Sequence, residues 1–322
     1  MKSDAFDRPL SVVLICSAGS VSDLLVSAWR DTCHDLQAIV VSGISHRKRL
    51  SPAMARAAGS GVRVLRVEHP VDWPALEAQL ADVRADVLVC YGFMRLIPAS
   101  FLRRFGHGGV NFHPALLPGY AGPHPTRCLV ADGTYGTQGG LTLHAMTEAF
   151  DEGPILARAR FLPEDFRSAR LYVRTIAETM KAMIREVLPL HCAGLLKEER
   201  QEGGVRTWAE YHPRSVVATA RWRAADIAAA AAFLGRRKGL RLRLGEGEVR
   251  VFELRRNLGA PTGRKPAVGL FTVEFDCADA RVSMFRANRA GRLAMRLRDA
   301  RSDRSPAPAP RRVEFVRVDG DG

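Results

Sequence analysis

Three residues in the first half of the chain combine an amide, an imidazole and a carboxylate: Asn111, His113 and Asp151. Asn111 and His113 stand two apart in GGVNFH (108–113), an apolar run that reads as a strand, so their side chains leave the same face. Pro114 follows the histidine, and Pro118 with Gly119 stiffens the next loop. Asp151 closes a strand-like segment and precedes Gly153 and Pro154 in FDEGPI (150–155). An amide and an imidazole can donate hydrogen bonds to charge developing on an acyl oxygen, and a carboxylate can orient the imidazole and relay a proton. Converging at the carboxyl edge of an open sheet, the three suit acyl transfer. Each alone also has a plain structural use: a turn former, a buried histidine, a loop cap.

The elements that must position them are legible as an alternation. SVVLIC (11–16), LQAIVVSG (36–43), VRVLRV (62–67), DVLVCYG (86–92) and GGVNFH are near-continuous apolar runs, the pattern of parallel strands covered on both faces. Helix-length stretches lie between them: Ser20 to Arg30, Ser51 to Ala58, Trp73 to Val83 and Pro98 to Phe105. Pro52 and Pro74 fall in the first turns of two of these, where proline is favoured. The spacing predicts a Rossmann-like open, mostly parallel α/β sheet. GGLTLHAM (139–146) and PILARARFL (154–162) then alternate like antiparallel strands, and a long helix is expected from about Arg167 to Cys192.

A polar stretch, 199–215, with Gly203 and Gly204 reads as a linker, giving a first domain over 1–198. A helix from Ala224 to about Leu234 follows, then strand-like LRLRL (240–244), EVRVFEL (248–254), VGLFTVEF (268–275), RVSMF (281–285) and LAMRLR (293–298). One helix with several short strands predicts a small C-terminal β-barrel, OB-like, over 216–299. Residues 300–322 read as a Pro- and Arg-rich tail in which VEFVRV (313–318) could return as an edge strand.

The 322 residues carry a net charge of +14, unevenly placed. From Arg206 onward there are 25 Lys and Arg against 13 Asp and Glu, a net of +12, whereas the first 205 residues hold +2. Such asymmetry suits a polyanionic partner or a solvated arginine-rich face. Arg236, Arg237, Lys238, Arg241 and Arg243 are the candidates for a basic surface. With 47% hydrophobic and 25% charged residues the composition is that of a globular protein, and no apolar stretch approaches the ~20 residues of a membrane span. Six scattered cysteines without a CxxC pair argue against a zinc ribbon or a disulfide framework, and a cytoplasmic protein with reduced thiols and no metal site is expected. CSAGSVSDLL (16–25) could cradle a phosphate at a helix start, but it lacks GxGxxG and no acidic residue closes the second strand, which disfavours a nicotinamide dinucleotide.

NFHPALLPGYAG (111–122) followed by FDEGPI resembles the folate-dependent formyltransferases. The resemblance runs over about residues 10–200. It implies formyl transfer from 10-formyl-tetrahydrofolate to an amine or hydroxylamine, with Asn111, His113 and Asp151 catalytic. YGFMRLIP (91–98) resembles that family's folate-pocket segment, which implies Phe93, Met94, Leu96 and Ile97, together with Leu117, Pro118 and Gly153, as folate-binding residues. ARWRAADIAAAAAFLG (220–235) and EVRVFEL resemble the small barrel appended to the methionyl-tRNA and some sugar enzymes of the family. GPHP (122–125) and the short basic loop ISHRKRL (44–50) are closer to the enzymes acting on small molecules, and the basic C-terminal part to those acting on tRNA. The acceptor expected is a small metabolite such as an amino sugar, with initiator tRNA as the alternative and a catalytically silent nucleic-acid-binding scaffold a more distant one; a homo-oligomer is left open.

Overall fold

The computed structural model of the chain describes residues 8–29, 32–43, 49–161, 169–202 and 216–302. The first part comprises β1 (Ser11–Ser17), α1 (Ser20–Trp29), β2 (Asp35–Ser42), α2 (Pro52–Gly59), β3 (Arg63–Val67), α3 (Trp73–Gln79), β4 (Val87–Tyr91), α4 (Ala99–Leu102), β5 (Gly109–His113), α5 (Pro125–Ala131), α6 (Tyr135–Gln138), β6 (Gly140–Ala145), β7 (Ile155–Arg160), α7 (Ala169–Glu186) and α8 (Leu188–Cys192). The second comprises β8 (Val217–Thr219), α9 (Ala224–Lys238), β9 (Leu240–Leu244), β10 (Gly247–Asn257), β11 (Ala267–Val268), β12 (Thr272–Asp276), β13 (Arg281–Arg286) and α10 (Arg289–Ser302).

Seven strands form one sheet in the order β3-β2-β1-β4-β5-β6-β7. The first five are parallel, and β6 and β7 run antiparallel beside them. The chain winds outward from β1 to β3, then returns to place β4 on the other side of β1. That reversal opens a crevice at the carboxyl ends of β1 and β4, where ligands bind in folds of this kind. Both faces are covered, as the unbroken apolar strands require. Leu14, Cys16, Val89, Val110 and Phe112 face α1, α7 and α9, whereas Val13, Ile15, Leu88 and Cys90 face α3 and α4. Local chemistry sets the helix starts: Ser51 accepts from the Met54 N–H and Asp72 from the Ala75 N–H, each with proline in the first turn.

The second sheet has six strands in the order β11-β12-β13-β10-β9-β8, with β11 and β8 at its edges among the described residues.

Several expected elements differ. LAMRLR is not a strand but lies within α10. Asn288 caps that helix by accepting the Gly291 N–H at 2.7 Å. Arg292, Met295 and Arg298 share a face at helical spacing: Met295 is buried against Phe252 and Phe285, and the two guanidinium groups lie 4.8 and 5.0 Å from those rings. Leu293 and Leu297, which made the alternation strand-like, point to solvent. The long helix expected to Cys192 breaks at Val187, with Pro189 in the first turn of α8. Only Ala99–Leu102 of the expected 98–105 helix is helical, and 268–275 is split between β11 and β12 by an exposed turn at Leu270 and Phe271. Most of the 44–50 loop and of the linker, all but the first residues of the tail, and the side chains of Arg236, Arg237 and Lys238 lie outside the described residues.

Candidate active site

Asn111 and His113 leave the end of β5 on the face that packs α3 and α4. The turn between β6 and β7 brings Asp151 to them. Asn111 Nδ2 donates to Asp151 Oδ1 at 3.2 Å, and His113 Nδ1 lies 3.4 Å from Asp151 Oδ2. Asp151 has φ of +53°, in the left-handed region, and the backbone is held there from outside the turn. Gln201 Nε2 donates to the carbonyls of Asp151 and Gly153 at 2.8 and 2.7 Å. Gly153 is required in that turn: a Cβ would stand 1.8 Å from the Ala145 carbonyl oxygen.

A fourth side chain completes the cluster. His144 is paired with Asn111 across β5 and β6, so both leave the same face of the sheet. Its Nδ1 lies 2.9 Å from the Ala145 carbonyl, which places the proton there and leaves Nε2 as acceptor for the Asn111 amide at 3.0 Å. The same Nε2 is 3.4 Å from Asp151 Oδ1. Sequence reasoning did not single out His144, because the signal is a cross-strand register that a sequence does not display.

The loop after β5 supplies the remaining contacts. His113 Nε2 is 2.9 Å from the carbonyl of Tyr120, a second residue with positive φ (+56°), whose hydroxyl bonds Asp132 and Thr134. Two residues on, the Gly122 N–H donates to Asp151 Oδ2 at 2.8 Å. One loop therefore fixes both the imidazole and the carboxylate. Burial pushes the Asp151 carboxyl up, but the hydrogen bond and charge of His113 at Oδ2 oppose it, and the carboxyl lies well below the usual carboxylate range. Both ring nitrogens of His113 face oxygens, so a ring carrying both protons satisfies both.

Asn111, His113 and Asp151 form the floor of a cavity of about 510 Å³, and His144 is not among its lining residues. The cavity walls include Ser17, Gly19 and Ser22 from the end of β1 into α1, Tyr91 to Met94 from the end of β4, His124 to Arg127 at the start of α5, Phe150, and Phe233 of α9. Of the residues expected to bind folate, Phe93 and Met94 line this cavity. Leu96 is exposed, and Ile97 and Leu117 are buried in apolar clusters. Pro118 and Gly153 are not among the lining residues, although Gly153 shapes the Asp151 turn. Of the basic candidates with described side chains, Arg241 and Arg243 both pair with Glu248 across the β9–β10 hairpin. Among the described residues no His, Cys, Asp and Glu cluster could hold a metal, and no helix is long and apolar enough to cross a membrane.

Residues 11–187 match the family described as formyl transferase. The chain is 34% identical over 147 residues to methionyl-tRNA formyltransferase of Myxococcus xanthus, covering 45% of this chain and 46% of that one. It is 35% identical over 149 residues to phosphoribosylglycinamide formyltransferase of Mycobacterium tuberculosis, covering 45% of this chain and 68% of the relative. Of other curated relatives the match spans as little as 12% of the length. A solved variant of HypX from Aquifex aeolicus shares the fold over 86% of this chain and 44% of its own, with a TM-score of 0.50 at 17% identity.

Proposed function

The chain belongs to the formyl transferase family, and from that premise we propose that it moves a formyl group from 10-formyl-tetrahydrofolate to the amine or hydroxylamine nitrogen of a small metabolite. The observation that carries this reading is the meeting of Asn111, His113 and Asp151 on the floor of one cavity at the carboxyl edge of the sheet, with buried His144 against Asn111 and Asp151. The cavity fits the donor: Phe93 and Met94 offer an apolar wall for a flat heterocycle, and the floor offers hydrogen-bond donors for an acyl oxygen. Bound there, the folate supplies the formyl carbon.

The residues do the rest. In the resting arrangement every donor is taken, Asn111 Nδ2 by Asp151 and His144, and His113 Nε2 by Tyr120. An acyl oxygen must replace an internal acceptor, the Tyr120 carbonyl for His113 or the His144 ring for Asn111. Either exchange aims a preorganised donor at developing charge. Asp151, held as a carboxylate, keeps His113 oriented and can pass on the proton that the attacking amine loses.

A second reading, initiator tRNA as acceptor, is favoured by the net +12 of residues 206–322, since phosphate contacts supply sequence-independent affinity. An OB-like barrel over 216–299, the first domain limit at 198 and a cytoplasmic location belong to the same proposal. Release of tetrahydrofolate, followed with amino sugars, hydroxylamines and charged initiator tRNA in parallel, tests it. Turnover with a small amine supports the first reading and turnover with tRNA alone the second. Turnover with neither would leave the silent scaffold.

A further inference from the structure

The two sides of the cavity come from opposite faces of the first sheet. The reactive floor and Phe93 belong to the face of α3 and α4, where the Phe93 ring is fixed 5.6 Å from His69 and 6.1 Å from Trp73. Ser22, the start of α5 and Phe233 belong to the other face. Phe233 is the only lining residue contributed from beyond Asp151 among the described residues.

It reaches the cavity because α9 is docked at backbone distance. A Cβ on Gly136 would stand 2.1 Å from the Ala225 carbonyl, and one on Gly133 would stand 2.5 Å from the Trp222 ring. Buried Asp226 accepts from the Thr137 N–H at 3.0 Å and from its hydroxyl at 3.1 Å. The Phe233 ring meets Tyr135 edge-on, with centroids 6.3 Å apart. A side chain held this way is a fixed wall. His124, which also lines the cavity, has its imidazole pushed below the usual range by burial and by the charge of Arg127.

We propose that Phe233 determines acceptor specificity: with the formyl donor on the Phe93 side, the acceptor enters from the α9 side, and the second part of the chain limits its size while presenting an aromatic face to its carbon skeleton. The acceptor class this selects is a small amine with an apolar or ring face next to the reacting nitrogen. The inference rests on the formyl-transfer reading.

The test measures tetrahydrofolate release by the full chain, wild type and F233A, F233L and F233W, with hydroxylamine and with primary amines of increasing size. Thermal unfolding identifies any variant that fails to fold, and F233L is the mild replacement should F233A do so. A methylene-sized change in a pocket alters discrimination by about tenfold or more, so F233A should raise kcat/KM for the larger amines relative to hydroxylamine by that factor, and F233W should lower it. The KM for the formyl donor should move by less than about twofold in each, since the donor lies on the other side. An identical size profile in all folded variants would overturn the assignment. Failure of the wild type to use any of these amines, hydroxylamine included, would overturn the small-acceptor reading of the proposed function instead, and the acceptor role with it.

Discussion

Replacing Asp151 with Asn removes one charge and almost no volume, so its consequences can be worked from the contacts. Oδ1 meets Asn111 Nδ2 at 3.2 Å and His144 Nε2 at 3.4 Å, and Oδ2 meets the Gly122 N–H at 2.8 Å and His113 Nδ1 at 3.4 Å. An amide keeps one acceptor oxygen, and its NH₂ must then face either Gly122 or Asn111, both donors. Leaving a buried donor without its partner costs about 1–3 kcal/mol, and His113 loses the charge that orients it. Turnover in the folate-release assay should fall by about 10²–10⁴, with the donor KM little changed. Stability gives an independent readout. The folded-state value of Asp151 is depressed, so its contribution to stability is complete above the unfolded value near ~3.9 and is lost as pH falls through the lower folded value. Between about pH 5 and 2 the urea midpoint of wild type should therefore drop more steeply than that of D151N. Turnover within tenfold of wild type (about 1.4 kcal/mol of barrier), or equal pH slopes, would refute the assignment of Asp151 as an ionised partner of His113.

Three further perturbations probe what supports the site. G136A sets a Cβ 2.1 Å from the Ala225 backbone, so the folded state should be destabilised by about 1–3 kcal/mol and transferase activity should fall as α9 is pushed away. Q201A frees the carbonyls of Asp151 and Gly153 from their shared donor. Because small misplacements of catalytic groups are costly, kcat should fall about tenfold while the donor KM holds, and an unchanged kcat would show that the turn keeps its own shape. For Asp226, burial pushes the carboxyl up, so stability falls as pH rises from the unfolded value through the raised folded one. D226N, which retains one acceptor for Thr137, should flatten that fall, whereas D226A should cost about 1–3 kcal/mol, both read from urea midpoints across pH 4 to 8.

The parallel core was legible because buried strands have no polar face to obscure them: the runs at 11–16, 36–43, 62–67, 86–92 and 108–113 each contain a strand within a residue or two. Asn111 and His113 could be paired from their spacing alone, since alternate residues of a strand share a face. Asp151 required the resemblance, because nothing local shows that a turn forty residues away folds back onto β5. His144, the Tyr120 carbonyl and Gln201 were out of reach for the same reason: each acts through register or a long-range bond to the backbone. The strand reading of LAMRLR failed because alternation over six residues fits either period, and the aromatic rings that select the helical one, Phe252 and Phe285, lie elsewhere in the sequence.

The C-terminal third shows how composition can mislead about organisation. Its charge and the polar stretch before it suggest a basic module tethered to a neutral one, yet Ala228 to Ala232 carry a different message. Five consecutive alanines, all at most 2% exposed, leave a helix apolar all round, and such a helix is covered on every side. In the structure α9 lies between the two sheets, against α5, α6 and α7 on one flank and β9 and β10 on the other. Small side chains let both flanks approach closely, and that approach carries Phe233 into the cavity wall. The arginines meanwhile spend part of their charge internally, on Glu248, Glu253, Asp276 and Asp279. The second part is thus built into the wall of the candidate site, and a truncation made to remove its charge would remove Phe233 from that wall with it.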